Sequence, residues 1–214
     1  CTERTKVLID YMTVVIGAAL TRVVSFLTSV ILARQLGPEG FGRFSVFFAL
    51  LVAFWTSTNF IDSTYVRYST IEKHQSKRSY LRNSFAVKLF SCLLLIISAY
   101  PVAKLLSKYV FAKPELELEI LISIFSGAAL SLVSLRAAIY QANENFTYFT
   151  FLNFIFYFMT FVILLILFFG EIDLSIKAVY GVYFVSALTI AAASFIGIYK
   201  LSKPILIEKF ILYE

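Results

Sequence analysis

Six stretches of this chain, at about 11–33, 44–66, 85–107, 119–140, 149–169 and 178–199, are apolar over the roughly 20 residues that a helix needs to cross the hydrocarbon core of a bilayer. No other feature constrains the fold as tightly. Lipid offers no partner to a bare backbone N–H or C=O, so each stretch is expected to be a helix that satisfies itself. A β-barrel would require alternating apolar and polar residues, and LLLII at 93–97 or FVILLILFF at 161–169 does not alternate. The short connections leave no room for a separate soluble domain. Composition agrees: 60% of the 214 residues are hydrophobic and only 15% are charged, against about 45–50% and about 25% in soluble domains. Disorder is excluded, because 23 Phe and 13 Tyr are too many apolar groups to leave in water. The chain reads as an all-α integral membrane protein, one six-helix lobe over residues 1–214.

The net charge of +6 does not point to nucleic acid, because the basic residues sit between apolar runs and form no water-facing patch. There they set orientation. One set of alternate loops carries Arg4, Lys6, Arg67, Lys73, Lys77, Arg78, Arg82, Arg136, Lys200, Lys203 and Lys209, which is 11. The other carries Arg34, Arg43, Lys104, Lys108, Lys113 and Lys177, which is six. The excess predicts that both termini are cytoplasmic. Asn145-Phe-Thr147 matches a glycosylation acceptor but falls in a loop assigned to the cytoplasm, so it reads as coincidence. Cys1 and Cys92 are too few for a disulfide framework or a metal site. A chain opening on Cys1 reads as a fragment or a processed product.

Arg22 and Lys88 do not fit the loop pattern. On a 100° helical wheel Thr13, Gly17, Thr21, Arg22, Ser25, Thr28 and Ser29 share one half of the first span, and the other half is wholly apolar. A charge at mid-span costs several kcal/mol, about 3 by insertion scales, if it faces lipid. Arg22 is therefore expected to face a wet cavity or the bundle interior; the alternatives are that it snorkels or pairs with a buried acid such as Asp62. The second span ends in TSTNFIDSTYVR at 56–67, where Asn59, Asp62 and Ser63 share a face. Asp62 reads equally as an ion-coupling carboxylate or as a salt-bridge partner. Lys88, near the start of the third span, reads as a cavity cation or as a side chain reaching the headgroups. Ser123, Gly127, Ser131 and Ser134 form a small-residue stripe suited to close helix packing. Asn153, Tyr157 and Thr160 mark one face of the fifth span, Ser186, Thr189, Ala193 and Gly197 one face of the sixth, and Pro101 predicts a kink in the third.

Signatures of catalysis are scarce. His74 is the only histidine, which argues against zinc or His-based chemistry. LGPEGFG at 36–42 lacks the Lys-Ser/Thr ending of a nucleotide-binding loop. Glu115, Glu117 and Glu119 read as a solvated face. No cofactor, metal or nucleic-acid partner is expected.

The run ILARQLGPEGFGRFSVFFALLVAFWTSTNFIDSTYVRYST at 31–70 resembles the amino-terminal signature of bacterial polysaccharide (O-antigen-type) flippases of the multidrug/oligosaccharidyl-lipid/polysaccharide exporter superfamily. Leu32-Ala33-Arg34, Leu36-Gly37-Pro38 and Phe41-Gly42 carry the likeness, and RAAIYQANENFTYF at 136–149 resembles that family's loop between the fourth and fifth spans. The resemblance implies one lobe of a two-lobe fold around a central cavity. It implies a polyprenyl-pyrophosphate-linked oligosaccharide as substrate, moved by alternating access. Thr21-Arg22 also resembles the Ser-Arg pair of the related lipid II flippases, which implies that Arg22 attracts the pyrophosphate; a second cavity cation of those proteins falls on Thr28 here and is lost. Thr21, Arg22, Ser25, Asn59 and Lys88 are the candidate substrate contacts and Asp62 the candidate ion-coupling residue. The resemblance covers half of the expected machine, so a missing carboxy-terminal lobe or a second copy is expected as partner, alongside membrane lipid. Other readings are a cation-coupled exporter of the same superfamily, a membrane enzyme acting on the lipid-linked glycan, and a structural protein whose polar faces only pack helices.

Overall fold

The computed structural model describes residues 2–71, 74–170 and 175–202. Cys1, Lys73, Lys203 and Lys209 lie outside the described residues, as do the side chains of Arg4, His74, Lys77 and Arg78. Every regular element among the described residues is helical: α1 (Thr2–Thr56), α2 (Asn59–Ile71), α3 (His74–Leu105), α4 (Glu117–Ala142), α5 (Phe146–Phe169) and α6 (Ile176–Ser202). A π turn at Leu106–Val110 and a 3-10 turn at Pro114–Leu116 join α3 to α4.

Among the described residues five helical runs are long and apolar enough to cross a membrane, against the six stretches read from the sequence. The difference lies in the first run, Thr5–Ile71, whose 67 residues contain the first two stretches. Laid straight at 1.5 Å per residue it would be about 100 Å long, some three hydrocarbon thicknesses. It is not straight. Gly37 has φ 67° and ψ −179°, backbone geometry essentially reserved for glycine. Pro38 follows, with a ring that disfavours helical geometry at Gly37 and suits the first turn of a new helix.

Contacts along α4 show that the chain doubles back there. Before the bend, Lys6 pairs with Glu144, just past the end of α4, at 3.4 Å. After the bend, Arg43 pairs with Glu119 in the first turn of α4. Farther along, the backbone of Leu51 and Trp55 lies against Gly127, where an added Cβ would come within 3.0 Å of both. Asp62 then meets Ser134 near the far end. The two arms of α1 are therefore antiparallel.

The second stretch, 44–66, is interrupted between α1 and α2 at Ser57 and Thr58. Ser and Thr hydroxyls compete with the helical ladder for backbone carbonyls. Here Thr56 Oγ1 donates to Val52 O at 2.8 Å and Ser57 Oγ donates to Phe54 O at 2.7 Å. In contrast, α3 continues through Pro101 with no interruption of its helical run, and the wider π turn begins five residues later.

The core is centred on α4, which touches every other described helix and is the most enclosed of them. Its stripe behaves as packing: Ser123 and Ser131 are fully buried, and Gly127 admits the second arm of α1. An aromatic cluster of Phe44, Phe47, Phe156, Tyr180 and Tyr183 fills the space between that arm, α5 and α6. Outward faces are apolar as well: Leu20, Val23 and Phe26 on α1, Phe90 and Ile97 on α3, and Ile166 and Phe169 on α5 are all exposed. In water, each would forgo roughly 1.5–3 kcal/mol of burial. Hydrocarbon is the solvent that makes this surface stable, and the chain is a multi-pass membrane protein.

Candidate functional site

Two cavities on one side of α4 share a wall. The first, about 330 Å³, is lined by Thr21 and Arg22 from α1, by Trp55 at the end of its second arm, and by Phe149, Thr150, Asn153 and Tyr157 from α5. The second, about 390 Å³, is lined by Asn59, Asp62, Ser63 and Arg67 from α2, by Ser134 and Gln141 from α4, and again by Phe149 and Asn153. With Phe149 and Asn153 in common, the two adjoin as one elongated groove whose largely apolar lining carries these polar side chains.

Local packing places each wall. Gly17 lets the first arm of α1 settle on α5, where an added Cβ would lie 1.8 Å from Thr150 Cγ2. This close approach sets Thr21 and Arg22, one turn on, beside Asn153 and Tyr157. Thr21 Oγ1 donates to Gly17 O at 2.8 Å. Asn153 Nδ2 donates to Phe149 O at 2.9 Å, and its Oδ1 and second N–H have no hydrogen-bond partner among the described residues. Asn145 caps α5 by accepting from Tyr148 N at 3.3 Å, a structural role for the residue that opens the glycosylation-like triplet.

Asp62 and Lys88 form a charged pair set into the wall. Lys88 Nζ lies 2.8 Å from both carboxylate oxygens of Asp62. It also donates to Thr58 O and to Ser134 Oγ, each at 3.2 Å, while Ser134 Oγ donates to Asp62 Oδ2 at 2.7 Å. The Lys88 side chain has no exposed surface and that of Asp62 retains 11%. Neither sequence expectation for Lys88 matches this placement: it faces no open cavity and reaches no headgroup. A buried ammonium needs a counter-charge and hydrogen bonds, and Asp62, Ser134 and the Thr58 carbonyl at the break before α2 provide them. Asp62 is a salt-bridge partner, and its partner is Lys88, not Arg22.

The structure therefore brings Arg22, Thr21 and Asn59 onto one groove, with Asp62 at its edge and Lys88 behind the wall. Ser25 is half-buried and its carbonyl accepts from Ser29 at 3.0 Å; it does not line the groove. Arg67 and Gln141 were missed because they stand near span ends, where a basic or amide side chain reads as loop. Trp55 was missed because a tryptophan in an apolar run reads as packing.

Lys88 cancels Asp62, while neither Arg22 nor Arg67 makes an ion pair among the described residues. The groove presents two guanidiniums, several amides and hydroxyls, and the aromatic side chains of Trp55, Phe149 and Tyr157, an arrangement suited to an anion joined to a hydroxyl-rich body.

Comparison with known proteins gives one match. No curated protein and no solved structure matches the chain. A family model described as polysaccharide biosynthesis protein matches residues 9–211. That span takes in the LAR-LGP turn, all of α2 to α6 and both walls of the groove, and the chain belongs to the polysaccharide biosynthesis protein family.

Proposed function

We propose that the chain is a lobe of a flippase that moves a polyprenyl-pyrophosphate-linked oligosaccharide across the cytoplasmic membrane by alternating access. One observation carries this reading: a groove between the helices is lined by Arg22 at mid-span and by Arg67 near a span end, and neither has an ion-pair partner among the described residues. A guanidinium at the depth of Arg22 is costly unless it serves water or an anion, and guanidinium–phosphate pairs are strong and often bidentate. Family membership supports a glycan as the cargo.

The bend at Gly37 supports reading the first run as two crossings, which would make six, and the 11-to-6 distribution of basic residues supports cytoplasmic termini and an inner-membrane setting. Pairing of Lys6 with Glu144 at one end, and of Arg43 with Glu119 at the other, fits the alternating loops. A single lobe has nothing to rock against, so a second lobe or a second copy completes the machine. Transport is favoured over catalysis and over cation-coupled export because the acid at the groove, Asp62, is engaged by Lys88.

The test is glycan export in cells that depend on this protein. Arg22→Ala should abolish export while membrane insertion stays normal. Export at the wild-type level would refute the proposal.

A further inference from the structure

Trp55 is the only tryptophan in the chain, and it is out of place as a membrane anchor. Tryptophans of membrane proteins gather at the headgroup interface. Trp55 instead has its backbone against Gly127, ten residues and about 15 Å into α4, midway through the bundle. The absence of a side chain at Gly127 is what allows so deep a seat.

Its surroundings are organised. Phe156 meets the indole edge-on, with centroids 6.1 Å apart and planes at 73°. The Tyr157 ring is tilted at 42° with centroids 6.5 Å apart. The half-buried indole lines the groove together with Tyr157, Thr21, Arg22 and Asn153. The result is an aromatic corner open on the groove side, flanked by a guanidinium and by an amide with a spare acceptor and a spare donor.

Aromatic faces are electron-rich, and they attract the polarised C–H bonds on the apolar face of a pyranose ring. An amide that offers both a donor and an acceptor matches neighbouring ring hydroxyls. The geometry points to Trp55 and Tyr157 as the subsite for the sugar ring attached directly to the diphosphate, with Arg22 on the diphosphate and Asn153 on ring hydroxyls. This inference rests on the lipid-linked oligosaccharide reading and deepens it: Trp55 selects for a sugar, whereas Arg22 selects for charge.

The sole tryptophan is its own reporter. The purified protein in detergent micelles is titrated with a ten-carbon isoprenyl diphosphate bearing N-acetylglucosamine, and separately with the same isoprenyl diphosphate without sugar. Binding is followed by calorimetry and by Trp55 emission. The sugar-bearing ligand should bind about ten-fold more tightly and shift Trp55 emission saturably, while the sugar-free ligand binds with little shift. Trp55→Leu should reduce affinity for the sugar-bearing ligand to that of the sugar-free one and leave the latter unchanged. Trp55→Phe, which keeps an aromatic face, should retain most of the preference and guards against misfolding as the explanation. Equal affinity for both ligands in the wild type, or an equal loss for both in Trp55→Leu, would overturn the sugar subsite while leaving the anion site standing. Failure of both ligands to bind the wild type would overturn the subsite together with the reading on which it rests.

Discussion

Arg22 and Lys88 are both basic side chains set in apolar stretches, and the structure treats them in opposite ways. Lys88 is enclosed by three helices, gripped by Asp62 and Ser134, and capped by the carbonyl of Thr58. Arg22 stands on the wall of a groove with no counter-charge among the described residues. The first charge is spent on holding the bundle together, and the second is left for something that arrives from outside. Depth in a span identifies a charge that must be explained; only its partners show whether the explanation is structural or functional.

The contrast predicts effects of very different kinds. Lys88→Ala leaves a carboxylate unpaired at the wall, and removing one partner of a buried pair costs about 3–5 kcal/mol. Chemical denaturation in detergent should show that loss, and the double variant Asp62→Ala/Lys88→Ala should be the less damaged of the two. A double variant as unstable as the single one would contradict the pairing. Gly37→Ala comes next: a side chain in that backbone region costs on the order of 1–3 kcal/mol, seen as a lowered midpoint of unfolding with the groove chemistry intact. Gly127→Ala should cost about 1–3 kcal/mol through overpacking, because the new methyl group meets Phe54 Cβ at 2.7 Å and backbone at 3.0 Å. Arg22→Ala is the smallest stability effect, within about 0.5 kcal/mol, even though it is the change expected to stop export. A large destabilisation by Arg22→Ala would erase the distinction between the two cations.

Most of the helical architecture was legible in the sequence because lipid imposes a single rule, that the backbone must satisfy itself. The bend was legible in Gly37-Pro38, and the packing stripe in Ser123, Gly127 and Ser131. The interruption at Ser57 and Thr58 was not, because hydroxyl groups bonding back to the helix look the same in sequence whether the ladder holds or parts. The partner of Asp62 was also hidden: residues 62 and 88 are joined only when α2 and α3 pack against α4. Arg22 was visible because it lies alone in an apolar run. Arg67 escaped notice because a cation near a span end has an ordinary explanation already.

The central claim is that the Thr21 face of the first arm opens onto a watery groove while the opposite face meets lipid. It is tested most directly by single-cysteine accessibility in native membranes, on a background carrying Cys1→Ser and Cys92→Ala. A membrane-impermeant, water-soluble thiol reagent applied to membranes open on both sides should modify Thr21→Cys many times faster than Val23→Cys, and an anionic reagent should widen that ratio unless Arg22 is replaced by Ala. Equal and slow modification at both positions would contradict a hydrated groove beside Arg22.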